Sequence, residues 1–176
     1  MPEPITTADL WDFARESVKD KGSEWEGALD AIGLLHDADF PPYDATPLNC
    51  RVFATTGGNG THFAALDTPG EPIVMVVPMA FDRPHIVVGE SLREFLCLGC
   101  ECGYFGLEQL VYDWTGTIEW INDPESSHQY PEELRLLGEL RRRFELEPLA
   151  DPHGRLKELQ RQYRSCIVAR TENGQK

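Results

Sequence analysis

Three closely spaced cysteines are the residues with the clearest potential for chemistry in this sequence of 176 residues. Cys97 and Cys100 lie three positions apart and could converge on zinc, which takes four thiolate or imidazole ligands in a tetrahedron. Cys102 would then be a third ligand, with His62 or His85 as the fourth. The chain contains no second Cys-x-x-Cys and no His-x-x-x-His. We therefore favour the alternative in which these cysteines are structural and Cys100 packs as a small core residue.

The same cysteines could instead serve redox or nucleophilic chemistry. A redox Cys-x-x-Cys opens a helix, whereas Cys97 and Cys100 fall near the end of a predicted helix, where the helix dipole disfavours thiolate. Either cysteine could form a nucleophilic pair with His62 or His85. The sequence offers no oxyanion hole or orienting acid for such a pair. We assign no catalytic, cofactor-binding or metal-ligating residue, and we expect no cofactor. A small enzyme or a zinc-stabilised domain using Cys97–Cys102 is kept as the alternative function.

A cluster of glycines at residues 57–60 could be interpreted as a phosphate-binding loop. Such a loop leads into a helix N-terminus and usually supplies a lysine. Here residues 61–66 have the composition of a strand, and no lysine follows. The cluster therefore predicts a tight hairpin turn, in which glycine permits positive φ.

Carboxylates and aromatic rings are too common to identify a site by themselves. Pairs such as Asp37 and Asp39, or Glu132 and Glu133, carry little information in a chain with 30 acidic residues. Aromatic residues are candidate interface anchors, because Tyr and Trp dominate binding hot spots. For Trp114 the helical spacing favours the core instead. The candidate anchors are Tyr104, Phe105, Tyr112, Trp114 and Trp120.

Charge is large and unevenly distributed. Thirty acidic and sixteen basic residues give a net charge of −14. Such a chain disfavours nucleic acid and anionic lipid, which are bound by Lys and Arg, and it favours a basic partner. Residues 1–134 carry −18, whereas residues 135–176 carry +4. We expect the basic segment 135–176 to lie on the acidic body and compensate it, with a basic patch for an anion as the alternative.

Targeting signals are not evident in the sequence. No apolar run approaches the ~20 residues of a membrane span. The N-terminus Met1–Pro4 lacks the basic and apolar regions of a secretory signal. The odd number of cysteines, five, favours reduced thiols and a cytoplasmic location.

The elements that would position these residues begin with helices in residues 1–36. The first is predicted after a Thr7 cap, with Leu10, Ala14 and Val18 on its apolar side. A second is predicted after the capping box Ser23–Glu26, with Trp25, Ala28, Leu29 and Ile32 at helical spacing. Residues 37–50 contain three prolines among three aspartates, a composition that predicts a loop.

A sheet is predicted in residues 51–88 and further helices in residues 91–170. Four runs read as strands, at 51–56, 61–66, 73–77 and 85–88, and short connections between them favour antiparallel pairing. Pro69 and Gly70 suit a type II turn. A capping box opens a helix at Ser91, and the spacing from Leu107 to Trp114 predicts another. Pro131 and Pro152 open two further helices. Residues 118–121 could form a short strand, and residues 171–176 should fray.

The order of elements predicts one α+β domain over residues 1–176. It would hold a small, mainly antiparallel sheet flanked by about six helices, because strands do not alternate singly with helices.

Residues 52–98 resemble the second half of the SUKH superfamily domain. The resemblance follows the family's order of strand, Gly/Asp turn, strand, Gly-containing turn, strand and Ser-x-x-x-Phe-Leu helix, and it covers about a quarter of the chain. The segments that carry it are Val52–Ala54, the glycine-rich turn, Thr61–Leu66, Gly70–Val77, His85–Val88 and Ser91–Leu96. The resemblance implies an α+β domain without catalytic residues, and many relatives are bacterial immunity proteins that neutralise toxins, often nucleases.

These observations predict a non-enzymatic protein-binding domain. We expect an immunity-type protein that neutralises a basic toxin through an acidic and aromatic surface, because a charge of −14 complements a basic partner. Neither nucleic acid nor a membrane is expected as a partner.

Overall fold

The computed structural model describes residues 2–123 and 130–170. Within these ranges the chain forms one four-stranded sheet, five α-helices and four short 3-10 segments. The strands are β1 (Cys50–Thr55), β2 (His62–Leu66), β3 (Ile73–Val76) and β4 (His85–Gly89). The α-helices are α1 (Thr7–Val18), α2 (Leu92–Gly99), α3 (Trp114–Asn122), α4 (Pro131–Phe144) and α5 (Pro152–Tyr163). The 3-10 segments are Trp25–Gly27, Asp30–Ile32, Phe105–Val111 and Arg164–Cys166.

The sheet is an antiparallel meander in the order β1-β2-β3-β4. The glycine cluster is the β1–β2 turn, with positive φ at Gly57 and Gly60. The β2–β3 turn is closed by the Glu71 N–H donating to the Thr68 carbonyl at 2.9 Å, with φ of +87° at Gly70. This geometry matches a type II turn with Pro69 and Gly70 at its centre. The predicted α+β class, antiparallel sheet and both turns are confirmed.

Side chains alternate between two buried faces of the sheet. Phe63 and Met75 point into the main core beneath the helices. The opposite face, here called the second face, is formed by Ala64, Leu66, Val74 and Val76, which are all fully buried. The loop around Ala45 and the C-terminal residues Cys166 and Ile167 cover it. Burial on both sides explains the continuous apolar run of β3.

The free edge of β4 is closed by a side chain of α5. The Gln160 carboxamide accepts from the Val87 N–H at 2.8 Å and donates to the Val87 carbonyl at 2.8 Å. One amide therefore supplies both hydrogen bonds that a fifth strand would make at this position. This contact protects part of the edge from pairing with another chain.

The second predicted helix is wrong, because residues 25–32 form two 3-10 segments. Leu29 leaves helical geometry between them, at φ −106° and ψ 13°, and Ser23 makes no capping bond there. Gly33 follows at φ +85°, where an added Cβ would lie 2.7 Å from the Phe105 nitrogen. A spacing of i, i+3 fits a 3-10 turn as well as an α-helix, so burial of Leu29 and Ile32 does not distinguish them.

The predicted strand at residues 118–121 is also wrong, because these residues belong to α3. Asp113 caps this helix by accepting from the Gly116 N–H at 3.0 Å. Thr117, Ile118 and Ile121 are buried, which is a helical rather than an alternating period. The spacing from Leu107 to Trp114 spans a 3-10 segment and the start of α3 rather than one helix.

The remaining predicted helices are confirmed as α1, α2, α4 and α5, with Thr6 rather than Thr7 as the cap of α1. In α2 the Ser91 hydroxyl caps the Glu94 N–H, but the Glu94 carboxylate accepts from Glu90 instead of closing the predicted box. The prediction for residues 171–176 lies outside the described residues. No described helix combines the length and apolar character needed to cross a membrane.

Candidate functional site

The cysteine cluster lies at the C-terminal end of α2, inside the main core. Cys100 and Cys102 are buried, and Cys97 is half-buried. Burial raises the pKa of the Cys100 thiol and of the Cys102 thiol, each to about 12. The Cys102 thiol donates to the Gly103 carbonyl at 3.4 Å. These groups are neutral thiols near pH 7, and a neutral thiol is a poor nucleophile.

The structure does not bring the candidate histidines to the cysteines. His62 shares the second face with Ala64 and Leu66, and His85 pairs with Val76 across β3 and β4, so it lies on the same side. The cysteines lie on the other side of the sheet. Within residues 2–123 and 130–170, no three or more His, Cys, Asp or Glu side chains form a group that could hold a metal ion.

His62 instead anchors the loop that precedes β1. Its Nδ1 lies 2.7 Å from the Gly60 carbonyl, and its Nε2 lies 3.1 Å from the Thr46 hydroxyl. A carbonyl only accepts, so Nδ1 carries the proton and Nε2 accepts from the hydroxyl. The ring also contacts Phe40 and Tyr43, at centroid distances of 4.9 and 6.0 Å. Burial lowers the pKa of His62, which keeps the imidazole neutral.

His85 and the C-terminal segment hold the same loop from other sides. The His85 Nε2–H donates to the Ala45 carbonyl at 2.6 Å, and burial also lowers the pKa of this imidazole. The Asn49 side chain donates to the Cys166 carbonyl at 2.8 Å and accepts from the Val168 N–H at 2.9 Å. The loop of residues 37–49 is irregular, yet its second half is fixed to the sheet and to the C-terminal segment.

This anchored loop carries part of an acidic surface. Residues 22–50 contain six acidic residues and no lysine or arginine. We call the side chains of these six residues the acidic surface: Glu24, Glu26, Asp30, Asp37, Asp39 and Asp44. All are exposed except Glu26, which is half-buried. None forms an ion pair with another described residue.

Backbone and ring contacts connect the segments that carry the acidic surface. The His36 N–H donates to the Glu26 carbonyl at 3.0 Å, which joins the 3-10 segments to the loop. The Tyr43 ring lies against Gly60, where an added Cβ would be 2.7 Å from the ring. Beyond Gly60, the Glu108 carboxylate accepts from the Asn59 side chain at 2.5 Å and from the Thr61 hydroxyl at 2.9 Å. A carboxylate bound to the glycine turn adds to the negative charge and disfavours phosphate there.

The aromatic candidates divide between the core and the surface. Tyr104 is fully buried and its hydroxyl donates to the Leu96 carbonyl at 2.8 Å, so it is a core residue. Trp114 and Trp120 are half-buried. Phe105 and Tyr112 are exposed, at 44% and 55%. Tyr43 is 39% exposed beside the acidic loop, and no spacing signal in the sequence distinguishes it from other loop residues.

The expected compensation by the basic segment is confirmed for three arginines. Arg141 pairs with Glu101 at 3.1 Å, and Arg143 lies 3.9 Å from Glu16. Arg155 bridges α5 to α2, with nitrogens 2.5 Å from Glu94 and 2.7 Å from Glu90. These pairs neutralise acids of the helical side, and none of them involves the acidic surface.

Comparisons with known proteins add no relative. No protein-family model matches the sequence, and no curated protein and no solved structure matches the chain. The resemblance of residues 52–98 to the SUKH superfamily therefore stays a prediction.

Proposed function

We propose that this protein binds a basic protein partner through the acidic surface and performs no chemistry of its own. The observation that carries this proposal is the run of six carboxylates in residues 22–50, which have no ion-pair partner among the described residues. Elsewhere the chain pairs many of its acids with arginine. Unpaired like charges repel one another and lower the stability of the fold, so a separate role for them is expected.

The anchoring of the loop supports a binding role. Asp39 and Asp44 flank the ring contact between Phe40 and Tyr43, and His62 holds both rings. A loop that is already ordered loses less conformational entropy when it meets a partner. Tyr43 offers a partly exposed ring next to these charges, which is the combination of aromatic anchor and charged rim found at many interfaces.

The finer proposal is that the partner is a toxin and the protein its immunity factor. It is supported by the resemblance of residues 52–98 to the SUKH superfamily; this stretch folds as strands and turns followed by the helix α2. A nuclease toxin must be basic to bind nucleic acid, and an acidic surface would cover its substrate site by charge complementarity.

The experiment is affinity capture from the source cell, followed by titration of the captured protein at 50 and 200 mM salt. We expect a protein of high isoelectric point whose affinity falls at least about tenfold between the two salt concentrations, because exposed charge pairs are screened. The triple variant Asp37→Asn, Asp39→Asn, Asp44→Asn should also weaken binding by about tenfold or more.

A matched control removes the same amount of charge elsewhere. Glu3, Glu119 and Glu147 are exposed and lie outside the acidic surface. The triple variant Glu3→Gln, Glu119→Gln, Glu147→Gln should bind as the wild type does. The proposal is wrong if the two triple variants bind the partner equally well. It is also wrong if the variant at Asp37, Asp39 and Asp44 captures every protein that the wild type captures.

A further inference from the structure

A cleft lined by basic rather than acidic side chains lies between β4, the 3-10 segment Phe105–Val111 and α5. Its volume is about 320 Å³, which falls in the range of sites for small molecules. Apolar and basic side chains line it together, and six of them carry the argument: Arg83, His85, Ile86, Leu110, Trp114 and Arg164. No Asp or Glu side chain is among its described lining residues.

The two arginines of the cleft are not engaged by carboxylates of the described residues. Neither the Arg83 nor the Arg164 side chain forms a hydrogen bond or an ion pair with a described residue, whereas Arg135, Arg141 and Arg155 all contact carboxylates. Acids outnumber bases by 30 to 16 in the sequence. Two guanidinium groups that line one cleft without an acidic partner are therefore available to an anion, which a guanidinium binds through paired N–H donors.

The electrostatics around His85 agree with a positive cleft. The pKa of His85 is lowered, mainly by burial. A hydrogen bond to the Ala45 carbonyl partly opposes this shift, and the nearby Arg164 charge adds to it. The ring therefore stays neutral beside Arg164. Its Nε2–H is used by the Ala45 carbonyl, so the imidazole fixes one wall of the cleft rather than adding charge.

The other walls suit an apolar body. Ile86 and Leu110 are buried or half-buried aliphatic residues, and Trp114 presents an indole ring. The Trp114 Nε1–H donates to the His153 Nδ1 at 3.0 Å, which fixes the orientation of the ring. Gln160, at the base of α5, is likewise held by both backbone groups of Val87. These walls are positioned before any ligand arrives.

We propose that this cleft binds a small organic anion, with its carboxylate or phosphate on Arg83 and Arg164 and its apolar or aromatic body against Ile86, Leu110 and Trp114. The proposal is independent of the acidic surface, because it involves none of the six carboxylates. It assigns to Arg164 the anion-binding role that the sequence left as the alternative for the basic segment 135–176.

The experiment uses the full chain and four probes that separate the two halves of the ligand. Phenyl phosphate and benzoate carry both an anion and a ring, inorganic phosphate carries only the anion, and phenol only the ring. Isothermal titration gives the affinities, and the indole N–H signal of Trp114 in NMR spectra locates the binding. We expect at least one ring-bearing anion to bind about tenfold more tightly than phosphate or phenol and to shift the Trp114 signal. The stronger of phenyl phosphate and benzoate identifies the preferred anionic group.

Charge variants test the arginines directly. Arg83→Gln and Arg164→Gln should each weaken the stronger probe by about tenfold, which is at the lower end for a charge-assisted hydrogen bond because both side chains are exposed. Arg161→Gln is the matched control, since Arg161 is exposed in the last turn of α5, just before Arg164, but does not line the cleft. All three side chains lie on the surface, so thermal unfolding should remain unchanged. Equal effects of the three variants, an unshifted Trp114 signal, or no binding of either ring-bearing anion at 10 mM would overturn the proposal.

Discussion

Replacing His62 tests the claim that a neutral imidazole holds the acidic loop in place. His62→Ala removes two hydrogen bonds, to Gly60 and Thr46, and the ring contacts with Phe40 and Tyr43. Each hydrogen bond contributes about 1 kcal/mol net, and an aromatic pair contributes about 0.5–1.5 kcal/mol. We expect the free energy of unfolding to fall by about 3–5 kcal/mol, measured by urea denaturation at pH 7.5. This is a large part of the 5–15 kcal/mol typical of a domain.

The pH dependence of stability distinguishes this role from simple packing. The folded-state pKa of His62 lies below its ordinary value of 6.5, because burial disfavours the imidazolium. The unfolded chain therefore binds a proton at His62 that the folded protein does not, once the pH falls below about 6.5. The stabilisation is complete above that pH and is lost as the solution is acidified, at up to about 1.4 kcal/mol per pH unit for one proton.

His62→Asn isolates this contribution. Asparagine keeps a side-chain N–H that can donate to the Gly60 carbonyl, but it does not titrate. The plot of unfolding free energy against pH should be flatter for this variant than for the wild type between pH 6.5 and 5.5, and His85 remains in both proteins as a common background. Equal slopes, or a loss below about 1 kcal/mol for His62→Ala, would refute the reasoning.

Two further substitutions test the packing that surrounds the sheet. Gln160→Leu leaves the N–H and carbonyl of Val87 without their partner, and we expect a loss of about 2–3 kcal/mol in urea denaturation; a loss under about 1 kcal/mol would show that water replaces the amide. Gly99→Ala would place a Cβ in steric overlap with one edge of the Tyr104 ring and should cost at least about 2–3 kcal/mol of stability. Gly138→Ala is its matched control, because no described atom beyond its own stretch of helix lies within 4 Å of that Cβ. It should raise stability by about 0.5–1 kcal/mol; destabilisation by both variants would contradict the packing argument.

Strands and turns could be predicted from the sequence because local residue types determine them here. The continuous apolar run at residues 73–77 indicates burial on both faces, and Pro69-Gly70 has the φ preferences of a type II turn. The helix α4 is similarly local, with Pro131 at its first turn and a leucine stripe along it. In each case the chain close to the element supplies the whole signal.

Residues 25–32 and 113–122 could not be predicted because their conformation depends on distant contacts. Gly33 must turn to positive φ to let the backbone approach Phe105, more than 70 residues away. The Asp113 cap looks like any loop aspartate in the sequence. Apolar spacing alone does not separate a 3-10 segment from an α-helix, or a buried helix from a short strand.

The candidate site was predictable in its charge and not in its geometry. The sequence shows a net charge of −14, and it shows aromatic residues among the acids. It does not show that His62 and His85 lie on the side of the sheet opposite the cysteine cluster, where they hold a loop. That separation depends on which face of the sheet each strand residue occupies. The anchors Thr46 and Asn49 carry no sequence signal beyond their position in a loop rich in proline.

Ion pairs are unevenly distributed over this protein, which its net charge does not show. Arginines of α4 and α5 pair with carboxylates of the helical side, among them Glu16, Glu94 and Glu101, where packing has already brought the elements together. The acidic surface receives none of them, although residues 135–176 carry a net charge of +4. Neutralising the surface would have required only the replacement of exposed residues, which is seldom costly to a fold. Folding contacts therefore explain the paired acids of the helices and leave the six carboxylates of the acidic surface unexplained, which supports the proposed binding role. Binding should therefore depend on the unpaired carboxylates of the loop and stability on the paired carboxylates of the helices.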